Sequence, residues 1–198
     1  MSNATLSRRP TRRFWGWGND DAVLSAQEKS TLGMMLLALG TAYTDHPVPQ
    51  LAEFVLPTPR LVPPAALANQ FSASPLDRLN HAGGKSYADC ARMWLRQAPP
   101  VPDWVAYPED ELVIVDILDW AQTHNVAVIP YGGGSSVCGG VEAAVGDSYA
   151  GVISLDLERL NRVLEVDPVS RAARIPVSYT HLRAHETDSY LVCRLLLE

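Results

Sequence analysis

The run 126-VAVIP-130 passes directly into 130-PYGGGSSVCGG-140, and five of the thirteen glycines in the chain fall between Gly132 and Gly140. A β-branched apolar strand that ends in such a run constrains the local fold strongly. Successive backbone N–H groups are left unshielded by side chains and can converge on an anion such as a pyrophosphate. Ser135 and Ser136 can add hydroxyl donors. The same residues are compatible with a tight strand-to-strand turn that binds nothing. Two nucleotide motifs are excluded. A P-loop ends in Gly-Lys-Ser/Thr, and the only lysines are Lys29 and Lys85. A Rossmann fingerprint requires glycine where this chain has Val137, and it opens a long helix, whereas strands follow here.

The residues before the loop read as alternating β and α elements from Pro102 onward. The β-like 104-WVAY-107 leads into Pro108, Glu109, Asp110 and Glu111, an acidic helix start that complements the helix dipole. Leu112, Val115, Leu118 and Ala121 or Gln122 continue at helical spacing to about His124. Beyond the loop, 151-GVISLDL-157, 162-RVLEVD-167 and 171-RAARI-175 read as three short strands, the last two joined by a turn at Asp167-Pro168. The order β-α-β-loop-β-β-β predicts an α+β domain.

Residues 1–101 follow a different pattern. Ser25 and Glu28 have capping-box spacing and open a helix over residues 26–39, whose apolar run is far shorter than the roughly 20 residues of a membrane span and is expected in the core. Pro47, Pro49, Pro57, Pro59, Pro63 and Pro64 impose an extended connector. Ser74-Pro75 then has the form of an N-cap and first helical residue, and 86-SYADCARMWLRQ-97 places Tyr87, Cys90, Ala91, Trp94 and Leu95 on one helix face. Trp15, Trp17 and Trp94 are expected as buried packing aromatics. Asp156, Arg159 and Asn161 read as solvated strand-end and turn residues or, equally, as cofactor-facing ones, and His81 and His124 receive no role.

With 198 residues, 47% of them hydrophobic, the chain can bury a core as a soluble protein. A net charge of −6 argues against a nucleic-acid partner. Cys90, Cys138 and Cys193 lack metal-ligand spacing and an even count, which fits free thiols in a reducing compartment. The segment 7-SRRPTRR-13 has a twin-arginine look, but 14-FWGWGNDD-21 replaces the hydrophobic region an export signal needs, so a cytoplasmic location is expected.

The array 102-PDWVAYPEDELVIVDILDWAQTHNVAVIPYGGGSSVCGG-140, followed by 151-GVISLDLERLNRVLEVD-167, resembles the first subdomain of the PCMH-type FAD-binding domain of vanillyl-alcohol oxidase-like flavoenzymes. The resemblance covers Pro102 to Ile175, with Ser135 where threonine is usual, a change that keeps the hydroxyl. It implies FAD as cofactor, with Pro130, Tyr131, Gly132, Gly133, Gly134, Ser135, Ser136 and Val137 lining its pyrophosphate. The strings 12-RRFWGWGNDD-21 and 81-HAGGKSYADCARMWLR-96 resemble the alkylglycerone-phosphate synthase branch. That branch implies ether-lipid synthesis, an acyl-to-alkyl exchange on a dihydroxyacetone phosphate ester, with a small-molecule or lipid-like substrate and homo-oligomerisation of the full-length enzyme as compatible properties. An FAD-linked oxidase or dehydrogenase of a 2-hydroxy acid shares the same cofactor subdomain. A non-catalytic fragment is a third reading.

In the family, 171-RAARI-175 should continue into Ala-Gly and a second phosphate-facing loop. Residues 177–198 contain no glycine and resemble translated read-through of a sequencing-library adapter, so the expected organisation is a helical region with a Pro-rich connector over 1–101, a partial FAD-binding domain over 102–176 and a non-native tail over 177–198. His181, His185 and Glu186 have helical metal-site spacing, but no third ligand accompanies them and no metal is expected. The catalytic groups would lie in the part of the family pattern that this chain does not follow, and none is named.

Overall fold

Largely buried runs at residues 126–131 and 151–156 form two adjacent parallel strands around which the rest is arranged. The computed structural model describes residues 12–20, 24–41, 44, 46–160 and 165–174. Its main sheet contains β1 (Phe71–Ser72), β2 (Trp104–Ala106), β3 (Val126–Tyr131) and β4 (Gly151–Asp156) in the order β1-β2-β4-β3. Strands β2 and β3 both run parallel to β4, and β1 pairs antiparallel with β2. Parallel strands need a crossover connection, and the helix Glu111–Thr123 supplies it between β2 and β3. Register places Tyr131 opposite Asp156, at the end of the sheet where the glycine run begins.

The crossover helix starts where Asp110 accepts the Val113 N–H at 2.9 Å. It stops at His124, and Asn125 takes the left-handed conformation at φ 53° while its amide donates to the Ser148 carbonyl at 2.7 Å. Side chains alternate across the strands. Ala106, Val126, Ile153 and Leu155 pack with Ile117 and Ala121 of the helix, and Ala127, Ile129 and Val152 form a second cluster with Ala143.

A third cluster, Phe14, Leu79, Ala82 and Met93 with Trp15, Phe54 and Leu56, assembles the N-terminal region from the arm at 12–20 and the helices Pro75–Asn80 and Tyr87–Trp94. Trp15 and Trp94 meet edge to face at 5.4 Å. The connector between them contains two short 3-10 turns, Leu51–Glu53 and Ala65–Gln70. It is pinned to the sheet by Asp103, whose carboxylate accepts the Arg60 N–H, the Val152 N–H and the Arg60 guanidinium, each at 2.8 Å. Burial alone would raise the Asp103 pKa, but the Arg60 and Val152 hydrogen bonds outweigh it and hold the carboxyl below its ordinary range.

Several expectations about packing are corrected. The helix Ala26–Ala38 forms behind its Ser25–Glu28 capping box but buries no residue, because Leu32, Met34, Met35, Leu36 and Leu37 surround the axis and nothing among the described residues covers them. In the crossover helix Leu112, Val115 and Leu118 are exposed. The sheet takes the face carrying Ile117 and Ala121, with Val113, Ile114 and Trp120 half-buried beside it. In the helix Tyr87–Trp94 the buried residues are Asp89 and Met93, whereas Tyr87 and Leu95 are exposed. Trp17 is exposed as well. Cys90 and Cys138 are free thiols. The hairpin expected near the end is present as Glu165–Asp167 and Ala172–Arg174, paired antiparallel. Asn161, residues 162–164 of the expected strand, Ile175, His181, His185, Glu186 and Cys193 lie outside the described residues.

Candidate functional site

The end of β3 delivers Tyr131 into the interior, and the half-buried Gly132 and Gly133 and the buried Gly134 follow it. Tyr131 is 2% exposed, and its hydroxyl donates to the Asn80 carbonyl at 2.8 Å. Any contact it makes with a ligand at the loop therefore runs through its backbone. Gly134 adopts φ +74°, and a Cβ there would collide with the Tyr131 phenol. Both conditions exclude a side chain at this position. Ser136 closes the loop by accepting the Gly140 N–H on its hydroxyl at 3.1 Å. Pro130 and Val137 are exposed, and Gly132, Gly133, Ser135 and Ser136 are half-buried.

Three carbonyls of this run, those of Gly132, Gly133 and Ser136, are occupied. Arg12 donates through one Nη1 to the carbonyls of Gly133 at 2.9 Å and Gly132 at 3.3 Å, and the Lys85 backbone N–H donates to the Ser136 carbonyl at 2.8 Å. No protein acceptor among the described residues takes the N–H groups of Gly132, Gly133 or Gly134. Carbonyls tied back and N–H groups left over are what an anion-binding loop requires. The residues present therefore fit the pyrophosphate of FAD.

Beneath the loop sits a polar cluster that sequence reasoning left without a role. His81, just past the helix Pro75–Asn80, is buried with its Nε2 2.9 Å from Asp156 Oδ2 and its Nδ1 2.7 Å from the Asp77 carbonyl. A carbonyl only accepts, so Nδ1 donates to the Asp77 carbonyl and Nε2 faces the Asp156 side chain. The His81 ring packs 4.0 Å from the Tyr131 ring and 6.0 Å from that of Tyr107. Burial, reinforced by the nearby charges of Asp77 and Asp156, keeps the Tyr107 phenol protonated far above its ordinary range. In this cluster His81 and Asp156 are buried, and Tyr107 and Asp77 are half-buried.

Arg12, Gly84, Lys85 and the His81–Asp156 pair are the site residues that pattern reading missed. Lys85 alone carried a usable signal, as one of two lysines and the residue after a glycine pair. Its ammonium donates to the carbonyls of Arg13 at 2.9 Å and Phe14 at 3.2 Å. Burial holds its pKa below the ordinary lysine range; the charges of Cys90 and Asp89 oppose that shift and Arg12 adds to it. Arg159 lies over the Tyr107 ring at 5.3 Å and pairs with Glu109, and His124 caps its own helix. Neither reaches the loop. Among the described residues no group of histidine, cysteine and carboxylate side chains could hold a metal ion, and no helix is long and apolar enough to cross a membrane.

Comparison with known proteins agrees with this geometry. The profile of a family described as FAD binding domain matches residues 102–186, eleven residues beyond Ile175. The alkyldihydroxyacetonephosphate synthase of Trypanosoma brucei brucei is 36% identical over 125 residues, covering 57% of this chain and 20% of that protein. The synthase of the same name from Dictyostelium discoideum is 32% identical over 111 residues, covering 56% and 18%. A D-2-hydroxyglutarate dehydrogenase of Xanthomonas citri pv. viticola is 34% identical over 99 residues, covering 48% and 20%. The chain thus spans about a fifth of the length of these curated relatives. Among solved structures, an alkyldihydroxyacetonephosphate synthase superposes with a TM-score of 0.73 at 24% identity over 88% of this chain and 38% of that one, so the fold is shared. Residues 102–186 are thus similar to the FAD binding domain family, and the chain is similar to the alkyldihydroxyacetonephosphate synthases.

Proposed function

We propose that this chain is the FAD-binding portion of an alkyldihydroxyacetonephosphate synthase-like flavoenzyme, which exchanges an acyl for an alkyl group on a dihydroxyacetone phosphate ester. The observation that carries the reading is the loop in which the Gly132, Gly133 and Ser136 carbonyls are tied back while the N–H groups of Gly132, Gly133 and Gly134 have no protein acceptor. The similarity to synthases reaches beyond the flavin domain into the helical N-terminal region, since the superposition covers 88% of the chain.

In this reading Gly132, Gly133 and Gly134 donate backbone N–H groups to the FAD pyrophosphate. Pro130, Tyr131 and Val137 shape the walls of the loop through backbone and adjacent surface, and Ser135 and Ser136 bring hydroxyls to its rim. FAD, when bound, supplies the reactive isoalloxazine on which the chemistry depends. The chain contributes binding and orientation over residues 102–176. The acid–base groups and the substrate site are assigned to none of its residues.

The test is purification of the chain followed by FAD titration and absorbance near about 450 nm, where oxidised flavin absorbs. Saturable binding is expected. A chain that neither retains nor takes up FAD overturns the reading in favour of a non-catalytic fragment. The similarity to a D-2-hydroxyglutarate dehydrogenase supports a second reading, an FAD-linked dehydrogenase of a 2-hydroxy acid. Anaerobic mixing of the full-length protein with 2-hydroxy acids separates the two. Flavin bleaching favours the dehydrogenase, and an unbleached flavin favours the synthase.

A further inference from the structure

The arm at residues 12–20 lies about 120 positions before the glycine loop in sequence and touches it directly. We propose that Arg12, presented by this arm and held there by Lys85, is a positioning residue of the cofactor loop: it fixes the Gly132 and Gly133 peptides with carbonyls inward and N–H groups outward. The inference rests on the reading of the loop as the FAD pyrophosphate site.

Six contacts close a circuit around the loop. Arg12 Nη1 donates to the carbonyls of Gly133 at 2.9 Å and Gly132 at 3.3 Å. Its Nη2 lies 3.5 Å from Glu158, in the segment just after β4, so the guanidinium bridges the loop and the neighbouring strand end. Lys85 grips the arm through the Arg13 and Phe14 carbonyls at 2.9 and 3.2 Å. The Lys85 backbone N–H holds the far end of the loop at the Ser136 carbonyl, 2.8 Å away, and Gly84 permits that approach because a Cβ there would collide with the same carbonyl.

The physical consequence concerns peptide orientation. A glycine peptide flips at little steric cost, and a flip at 132–133 or 133–134 would turn a carbonyl dipole toward the bound anion and withdraw a donor. A cationic donor on the carbonyl side opposes that flip, because charge-assisted hydrogen bonds are stronger than neutral ones. The guanidinium also adds positive charge behind an anion site without occupying it. Arg12 acts through the loop and need not touch the cofactor.

The experiment compares wild-type chain with Arg12→Met, Arg12→Lys and, as a charge-matched control on the helix Tyr87–Trp94, Arg92→Met. Three readouts are taken on each: the 1H–15N resonances of Gly132, Gly133 and Gly134, the thermal midpoint, and FAD affinity by titration. Arg12→Met is expected to shift the three glycine resonances at an unchanged midpoint and to weaken FAD binding about tenfold, the loss of a charge-assisted hydrogen bond. Arg12→Lys should recover most of both, since an ammonium can still donate to the carbonyls, and Arg92→Met should leave both at wild type. Glycine resonances and affinity unchanged in Arg12→Met overturn the proposal. If Arg12→Met also lowers the midpoint, Arg12→Lys decides: glycine resonances and FAD affinity returned toward wild type support the proposal, and resonances and affinity as altered as in Arg12→Met at a wild-type midpoint contradict it. Absence of FAD binding by the wild-type chain would remove the functional reading, and the resonances of the unliganded loop would still decide the role of Arg12.

Discussion

Asp103 and Asp156 show how single buried carboxylates hold this chain together. Asp103 gathers Arg60 and Val152, and its folded pKa is depressed while an unfolded aspartate titrates near about 3.9. A depressed carboxylate stabilises the fold above its unfolded pKa and ceases to do so as pH falls through the folded one. The stability difference between wild type and Asp103→Asn is therefore expected to be largest at about pH 6 and to shrink below about pH 4, read from urea unfolding at each pH. A difference that grows on acidification would contradict the assignment. At Asp156 the partner is His81, both almost fully buried. His81→Ala leaves a carboxylate in the interior with one hydrogen bond from the Glu158 N–H, and a loss of about 3 kcal/mol is expected in the same assay. His81→Gln, which can restore one donor, should recover part of it.

Among elements, what was legible in the sequence is what is decided locally. The Ser25–Glu28 box, the Ser74-Pro75 start, and the strands at 126–131 and 151–156 all appear where their residues put them. The glycine run was legible for the same reason, because it lies in consecutive residues. Helix faces were not. In Glu111–Thr123 the apolar residues Leu112, Val113, Ile114, Val115, Ile117 and Leu118 mark more than one face, and the sheet selects among them. Ile117→Ala should cost about 3 kcal/mol and Leu118→Ala under about 1 kcal/mol in thermal or urea unfolding. Reversal of that order would show that the helix sits rotated from the described position. Strand β1 is two residues long, too short to leave an alternation, and only its pairing with β2 defines it. Arg12 and Lys85 were illegible as site residues because nothing nearby in sequence announces a contact with Gly133 or Ser136.

At the scale of the whole molecule, the N-terminal region and the α+β segment meet at the glycine loop. His81 and Lys85 come from the first, Tyr131 and Asp156 from the second, and Arg12 reaches from the arm to the loop carbonyls. The loop thus takes its shape from a region outside the matched 102–186 segment. The synthase-like N-terminal region is in this account part of the cofactor site's support. The most direct measurement is an equilibrium FAD titration of the wild-type chain beside Gly134→Ala, whose added methyl meets both a left-handed backbone and the Tyr131 ring. Saturable binding by wild type is expected, with binding at least about tenfold weaker in the variant, the effect of about 1–3 kcal/mol of backbone strain placed in the loop. Equal affinity in the two proteins, or none in the wild type, would contradict it.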